Sequence, residues 1–476
     1  MPKEVIQQKQ LRPFVNGHNI YRAEESTGSP RITAAKSEEL GAPNILGVDV
    51  EEINSDITLR IREQGSLYPY LAIFKDYSYD LEEAALPTSL STLDMVSSFA
   101  NFVFPVIKKE EIGDPKPTIW RNYVMDKAGV TSIGWNFNVD GPSTINISLQ
   151  GSSYKIFKDS AILVERHAAV TAGAVTPEQT PTKVIRVIAE GPEEIAGEDI
   201  TDVCSVGTGT IAVGTFNGET PTMVTVVYSY EQTTGGPALF YGRVLSETVE
   251  AEGVDSLTVT HNVTNIIGVR TTAGVIVAGP WTIDSEDPKT ITGGTVVAET
   301  SYVVNYITAD EPAGLLRQAT KGKIKIYMAE SYATKGGRLR GVSSVAANWG
   351  LNSDSRQELG SEDPYLTIAN LPAEITVDLS LDETEDIDTF LAKIIDVGED
   401  DPLIDLKNIN HDMNLYVEVI GLDESGDEEV KLVYKFPRLM LTSTSSSLAL
   451  GGTVNRPLSF TSDDVIITTN TELSGL

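Results

Sequence analysis

The 476-residue chain holds a single cysteine, Cys204, and only four histidines, His18, His167, His261 and His411, none at short spacing from another. One thiol excludes an intrachain disulfide and a thiolate metal cluster within one chain. Scattered histidines give no local metal-ligand pattern. Aromatic residues make up 7% and are spread evenly, so no aromatic-lined acid pair of the glycan-hydrolase kind stands out. Long apolar runs are also missing. The longest, Phe99 to Ile107, is interrupted by Asn101 and Pro105, far short of the roughly 18 residues a transmembrane helix needs. Met1 to Leu11 carries Lys3 and Lys9 but no apolar stretch, and no secretory signal is expected there. Basic residues are scarce: 36 Lys and Arg against 68 Asp and Glu leave a net charge of −32. That balance argues against a groove that grips nucleic acid by neutralising phosphates. It suits solubility, or a surface that nucleic acid passes without adhering.

Catalytic signatures are missing too. There is no Gly-x-Ser-x-Gly elbow, His-Glu-x-x-His or paired Cys/His. The glycine-rich Gly207 to Gly214 lacks the Lys-Ser/Thr of a phosphate-binding loop and reads as a β-turn. Asp423 to Glu429 clusters acids without the alternating oxygen ligands of a calcium loop, so a solvated hairpin tip is expected. Glu399-Asp400-Asp401-Pro402 is similar, with at most weak cation affinity. Asn146-Ile147-Ser148 and Asn262-Val263-Thr264 fit the glycosylation pattern but read as ordinary strand residues. No catalytic, cofactor-binding or metal-binding residue is assigned.

What the chain has in quantity is alternation, with 41% hydrophobic residues to build cores. In Glu374 to Leu381, Ile375, Val377, Leu379 and Leu381 fall on one strand face. Asp386 then stands as N-cap to a helix over Ile387 to Ile395, where Ile387, Phe390, Leu391 and Ile394 take helical spacing. Ser55 to Ile61 alternates in the same way. Leu93 to Val103 carries apolar residues at helical intervals before Pro105, which predicts another short helix. Ile133 to Leu149 reads as a hairpin around Gly141-Pro142, and Leu415 to Phe436 as a hairpin around Asp423 to Asp427.

Between residues 160 and 320 the composition shifts to Val, Thr and Gly, punctuated by Thr-Pro at 176–177, 180–181 and 220–221. Met223 to Glu231 and Tyr302 to Ile307 are tyrosine-bearing strands, each following a Gly- and Thr-rich turn. Two small β-sandwich insertions of immunoglobulin-like kind are expected, at 175–235 and 240–312. The expected division is an irregular N-terminal arm (1–30), a first block (31–159), the insertion (160–320), a second block (321–468) and a tail (469–476). The outer blocks look like copies. Glu39-Leu40-Gly41 matches Glu358-Leu359-Gly360, and Ser55 to Leu59 lies at nearly the same offset as Ala373 to Val377.

The second block has a recognisable order. Gly341-Val342-Ser343-Ser344-Val345 is followed by Glu358-Leu359-Gly360, the strand 374–381, the short helix and the ending Gly451 to Asp464. Together with the hairpin Gly134 to Val139 and Ile145 to Gly151, this order resembles the major tail tube proteins of tailed bacteriophages, over 31–159 and 321–468. The resemblance implies a mainly β (α+β) fold: two tube-type β-sandwich or half-barrel domains, each with a short helix, with the insertion decorating the outside. It implies no enzyme and no cofactor. It implies a structural virion protein, assembled in the host cytoplasm, whose rings stack into a hollow tail tube for DNA delivery. A duplicated chain would build a homotrimeric, pseudo-hexameric ring, where a single-domain chain builds a homohexamer. Other tail proteins, such as tape measure and terminator, are the implied partners, and viral DNA passes without tight binding or membrane insertion. Deleting residues 175–312 with a short linker is then expected to leave assembly intact. Two other readings stay open: another virion protein (sheath, terminator or capsid decoration) and an immunoglobulin-like surface adhesin.

Overall fold

The computed structural model describes residues 13–16, 18–37, 47–74, 87–96, 100–107, 118–151, 153–167, 169–195, 198–232, 237–238, 242–251, 253, 255–311, 315, 323–351, 353–357, 364–369, 374–382, 413–422, 426–444 and 455–469. Strand makes up 60% and helix 7%, so the fold is mainly β, divided among several sheets.

The largest sheet contains a run of eight strands. In spatial order they are Ala23–Ser37, Gly47–Arg62, Thr144–Gly151, Ile119–Asn138, Val342–Gly350, Ile375–Asp382, Asn455–Ser462 and Met440–Thr444, each antiparallel to its neighbour. The first four strands come from the N-terminal part of the chain and the last four from the C-terminal part. Within each quartet the order is the same: first, second, fourth, third in chain sequence. We call the quartets and their attached strands the first and second modules. They meet where Ser132 to Asn138 pairs with Ser344 to Gly350. Period-two alternation explains the sheet's two faces. Ile57, Leu59, Ile145, Ile147, Trp135, Trp349, Val377 and Leu379 all point into the core, while their sequence neighbours, the buried Thr144 excepted, stay in partial or full contact with solvent.

A second layer repeats the correspondence. In the first module, the N-terminal half of Ile119–Asn138 pairs with Ala100–Ile107 on one side and Ser153–Lys158 on the other, with Phe14–Val15 beyond Ala100–Ile107. In the second module, Glu428–Phe436 pairs with Asn414–Leu422 and Ile466–Thr468, with Ile324–Ala329 beyond Asn414–Leu422. One strand crosses between modules: Ser89–Leu90 of the first pairs with Ile467 and Thr468 of the second. A single apolar core runs through both modules. The helix Tyr68–Phe74 is buried on every side within it, and the Ser66 hydroxyl accepts the Tyr68 N–H at 3.1 Å, closing its first turn.

Two expectations change. The helix read over Leu93 to Val103 is one short helix, Thr92–Val96, followed by the strand Ala100–Ile107. That strand is covered on both faces, so its apolar residues run together and lose the period-two signal. Pro105 fits because Phe14–Val15 reaches only Phe102 and Val103, leaving the proline beyond that short ladder. The arm expected over 1–30 is sheet from Phe14 onward, with Phe14, Val15, Ile20 and Tyr21 buried. The helix expected over 387–395 lies outside the described residues.

The inserted region holds two units of identical topology. In the first, Ser160–His167, Met223–Glu231 and Pro181–Gly191 form one sheet, and Ala174–Val175, Ile211–Val213 and Cys204–Val206 the other. In the second, Arg243–Glu250, Ser301–Thr308 and Val263–Thr271 form one sheet, and Ser256–Thr258, Thr290–Gly293 and Trp281–Ile283 the other. In each, the last strand in sequence lies between the first and third, and it is the tyrosine-bearing one. The first unit begins at Ser160, immediately after Ser153–Lys158. It shares a core with the first module, in which Phe14, Val103, Ile107, Ile119 and Val124 pack with Ile162 and Ala238.

Candidate assembly surface

The residue types singled out in the sequence do not converge. His18 and His167 are buried in separate strands, His261 lies 3.9 Å from Asp310, and His411 falls outside the described residues. Among the described residues no group of three or more His, Cys, Asp or Glu is placed to hold a metal ion. Gly207 to Gly214 forms the hairpin between Cys204–Val206 and Ile211–Val213, with the Gly207 N–H donating to Thr210 O at 2.8 Å. Gly209 there has φ +71°, a conformation that favours glycine. Of the acidic cluster 423–429, residues 423–425 lie outside the described residues, while Glu428 takes Lys323 at 3.2 Å and Lys325 at 3.0 Å. Glu399 to Pro402 lies outside the described residues. Burial pushes the Cys204 thiol up to about 11, which leaves it protonated and unreactive near neutrality.

Three buried acids, each engaged by its own partners, were not anticipated. Glu63 accepts the Tyr434 hydroxyl and the Gly65 N–H (2.7 Å); Tyr434 and Tyr70 hydroxyls stand 3.0 Å apart, and Trp135 Nε1 donates to Tyr70 at 2.9 Å. Burial holds the Glu63 carboxyl above its ordinary value. Glu418 accepts the Tyr332 hydroxyl at 2.6 Å and the Lys335 ammonium, which lies 3.8 Å from the Tyr332 ring centre. Glu165, on Ser160–His167 of the first small unit, meets Arg270 of the second at 3.2 Å, and Arg270 also reaches Glu178 at 3.1 Å. The sequence signal was a charged residue inside an apolar strand, as in Ile162-Leu163-Val164-Glu165, but alternation alone gives no partner. Each acid is enclosed and hydrogen-bonded, so these are structural joints rather than a place for substrate.

Among the described residues, one feature with open hydrogen-bonding edges is the eight-stranded run itself. Its two outer strands, Ala23–Ser37 and Met440–Thr444, each pair on one side only among the described residues. The face turned from the core carries small neutral polar groups, including Thr58, Ser132, Asn136, Asn146, Asn348 and Thr376. Several of the charges described on it are engaged. Arg60 and Arg62 both bind Glu24, the former at 3.3 Å, and the Ser459 hydroxyl donates to Asp378 at 2.6 Å. In a chain of net charge −32, this is a broad surface that neither attracts nor strongly repels a polyanion. No protein-family model matches the sequence, and no curated protein matches it significantly.

Proposed function

We propose that the chain is a self-assembling structural protein of a tailed-phage virion. On this reading three copies close into a pseudo-sixfold ring, and rings stack into a hollow tail tube that conducts DNA. One observation carries the reading: the tandem repeat of strand order across the eight-stranded run. The third strand of the first module, Ile119–Asn138, pairs with the first strand of the second, Val342–Gly350. The two outer edges of the run are the remaining strands of those same two kinds, Met440–Thr444 and Ala23–Ser37. A Met440–Thr444 edge laid against the Ala23–Ser37 edge of another copy therefore repeats a junction the chain already makes internally. Head-to-tail contacts of this kind close into rings when the rotation permits, and closure removes the exposed edges.

Three chains bring twenty-four strands. At about 4.8 Å between strands and a tilt of about 40°, the barrel closes at roughly 45–50 Å across the backbone. The polar face would line that channel, where among the described residues a DNA duplex meets no unpaired lysine or arginine cluster to hold its phosphates.

Negative-stain electron microscopy of the purified chain tests this. Hollow rings or tubes with threefold or pseudo-sixfold outline in end-on averages are the expected result. Monodisperse elongated monomers at all concentrations would overturn the ring and favour the adhesin reading.

A further inference from the structure

Apart from His18–Asn19, which lies beside Phe14–Val15 in the first module only, the second layers of the two modules match strand for strand with one exception. In the second module the edge strand Ile466–Thr468 is covered by Ser89–Leu90, which crosses over from the first module. The crossing is well anchored. The Thr469 N–H and the Thr468 hydroxyl donate to Thr88 O at 2.8 and 2.9 Å, and Thr92 donates to Asp464 through its N–H (3.1 Å) and hydroxyl (2.6 Å). The corresponding strand of the first module is Ser153–Lys158. It follows Thr144–Gly151 as Ile466–Thr468 follows Asn455–Ser462, and it pairs with Ile119–Asn138 as Ile466–Thr468 pairs with Glu428–Phe436. Among the described residues, no strand covers its other edge. Ile156, in the middle of that strand, is 49% exposed.

We infer that a second copy of this chain covers this edge. The second module of one copy reaches across the interchain junction to Ser153–Lys158 of the next, as the first module reaches across the intrachain junction to Ile466–Thr468. This rests on the proposed ring, because it needs the interchain junction to repeat the intrachain one. The direction is consistent. Within the chain the covering strand passes from the module contributing the third-strand edge to the one contributing the first-strand edge. Between chains the same rule sends it from a second module to the neighbour's first. The surface fits strand addition: an open backbone edge supplies hydrogen bonds, and Ile156 with the partly buried Tyr154 supplies apolar cover for the incoming strand.

Hydrogen–deuterium exchange on the intact chain, assembled and unassembled, tests the inference, with Ile156→Asp and Val275→Asp as variants. Val275 is also exposed, at 63%, but lies in the second small unit, so its variant controls for added surface charge. Amides of 153–158 are expected to exchange at least about tenfold more slowly in rings than in free chains, while those of 466–468 are protected in both. Ile156→Asp, with an unchanged circular dichroism spectrum, is expected to raise the concentration needed for assembly at least about tenfold, and Val275→Asp to leave it unchanged. If the wild type forms no rings, the proposed function fails and this inference with it. If rings form but residues 153–158 exchange equally fast in both states, or Ile156→Asp assembles like wild type, the ring stands and the covered edge does not.

Discussion

Arg270 and Glu165 face each other at 3.2 Å with both side chains sealed from solvent, although they belong to different small units. Glu165 also accepts the Tyr228 hydroxyl and the Glu178 N–H, and the Asn305 amide pairs with the backbone of Arg166 at 3.4 Å in both directions. The two units are therefore fixed to each other by a buried ion pair and hydrogen bonds as well as by apolar contact. Arg270→Ala leaves Glu165 buried and uncompensated, which costs about 3–5 kcal/mol. The expected outcome is a lower denaturant midpoint for the small units, with the two modules unfolding as before. A shift below about 0.5 kcal/mol would mean that the joint is solvated in solution.

The same joint sets a pH dependence. Burial, opposed by the Arg270 guanidinium, lifts Glu178 from 4.5 to about 7 in the folded chain. Between those values the folded chain binds more protons than the unfolded one. The stabilisation from this group is thus complete below about pH 4.5 and is lost as pH rises to about 7. His167 acts in the opposite sense. Burial, helped by Arg270, holds its imidazole well below 6.5, so its contribution is lost as pH falls beneath that value. Glu178→Gln removes the first effect alone. Relative to wild type, the variant is expected to gain about 1–3 kcal/mol between pH 4.5 and 7 and to stay level above. Parallel stability curves for the two proteins would contradict this.

Gly268 lies against the same acid. A Cβ there would overlap the Glu178 side chain, which is held by Arg270 and has little room to turn. Gly268→Ala is expected to cost about 1–3 kcal/mol by displacing Glu178 from Arg270. It should also flatten the pH dependence just described, which a simple packing defect would not do.

Tyr434→Phe tests the joint between the modules. The Tyr434 hydroxyl donates to Glu63 and lies 3.0 Å from the Tyr70 hydroxyl, so its loss strips a buried carboxyl of a donor. A loss of about 1–3 kcal/mol is expected in the unfolding of the modules, with the small units unaffected. Because burial already raises Glu63, removing a donor that favours its charged form raises it further. The deficit should therefore shrink in acid, where the carboxyl is protonated in either state.

Much of this fold was legible as alternation, and what was not has specific causes. Ile375, Val377, Leu379 and Leu381 share a buried face because one side of their strand meets the core and the other meets solvent. Ala100–Ile107 is covered on both sides, so it shows no period-two signal, and its Ala100 and Val103 continued the helical spacing of Leu93 and Val96. Phe14 and Val15 were read as part of a polar arm because a two-residue strand is too short to show a period. The faint match of Glu39-Leu40-Gly41 with Glu358-Leu359-Gly360 lies outside the described residues. Nothing local could show that Arg270 belongs with Glu165, 105 residues away, or that Ser89–Leu90 crosses to Ile467. Those contacts are products of topology.

The inserted pair bears on assembly unequally, and excision separates the two units. A cut at residue 175 would remove the partners of Ser160–His167, which pairs along its whole length with Met223–Glu231. Removing 160–311 instead uncovers Phe14, Val103, Ile107, Ile119 and Val124, which now pack against Ile162 and Ala238. It also breaks the Arg22–Glu311 ion pair at 2.5 Å and the hydrogen bond from Asn122 to Ser160 O at 2.6 Å. Each of those apolar side chains returned to water costs about 1–2 kcal/mol, so this deletion is expected to lower the stability of the first module and promote non-specific association. Removing only 240–311 also breaks the Arg22–Glu311 pair and takes Val244, Ile267 and Ile307 from the shared core. It spares the contact of Phe14, Val103 and Ile119 with Ile162 and Ala238, and it opens Glu165 to water, which relieves its need for Arg270. The shorter excision is therefore expected to retain ring formation in electron micrographs, while the longer one yields rings only when the uncovered patch is made polar, for example by Val103→Thr with Ile119→Thr. Loss of rings in the shorter excision would assign the second unit a part in assembly.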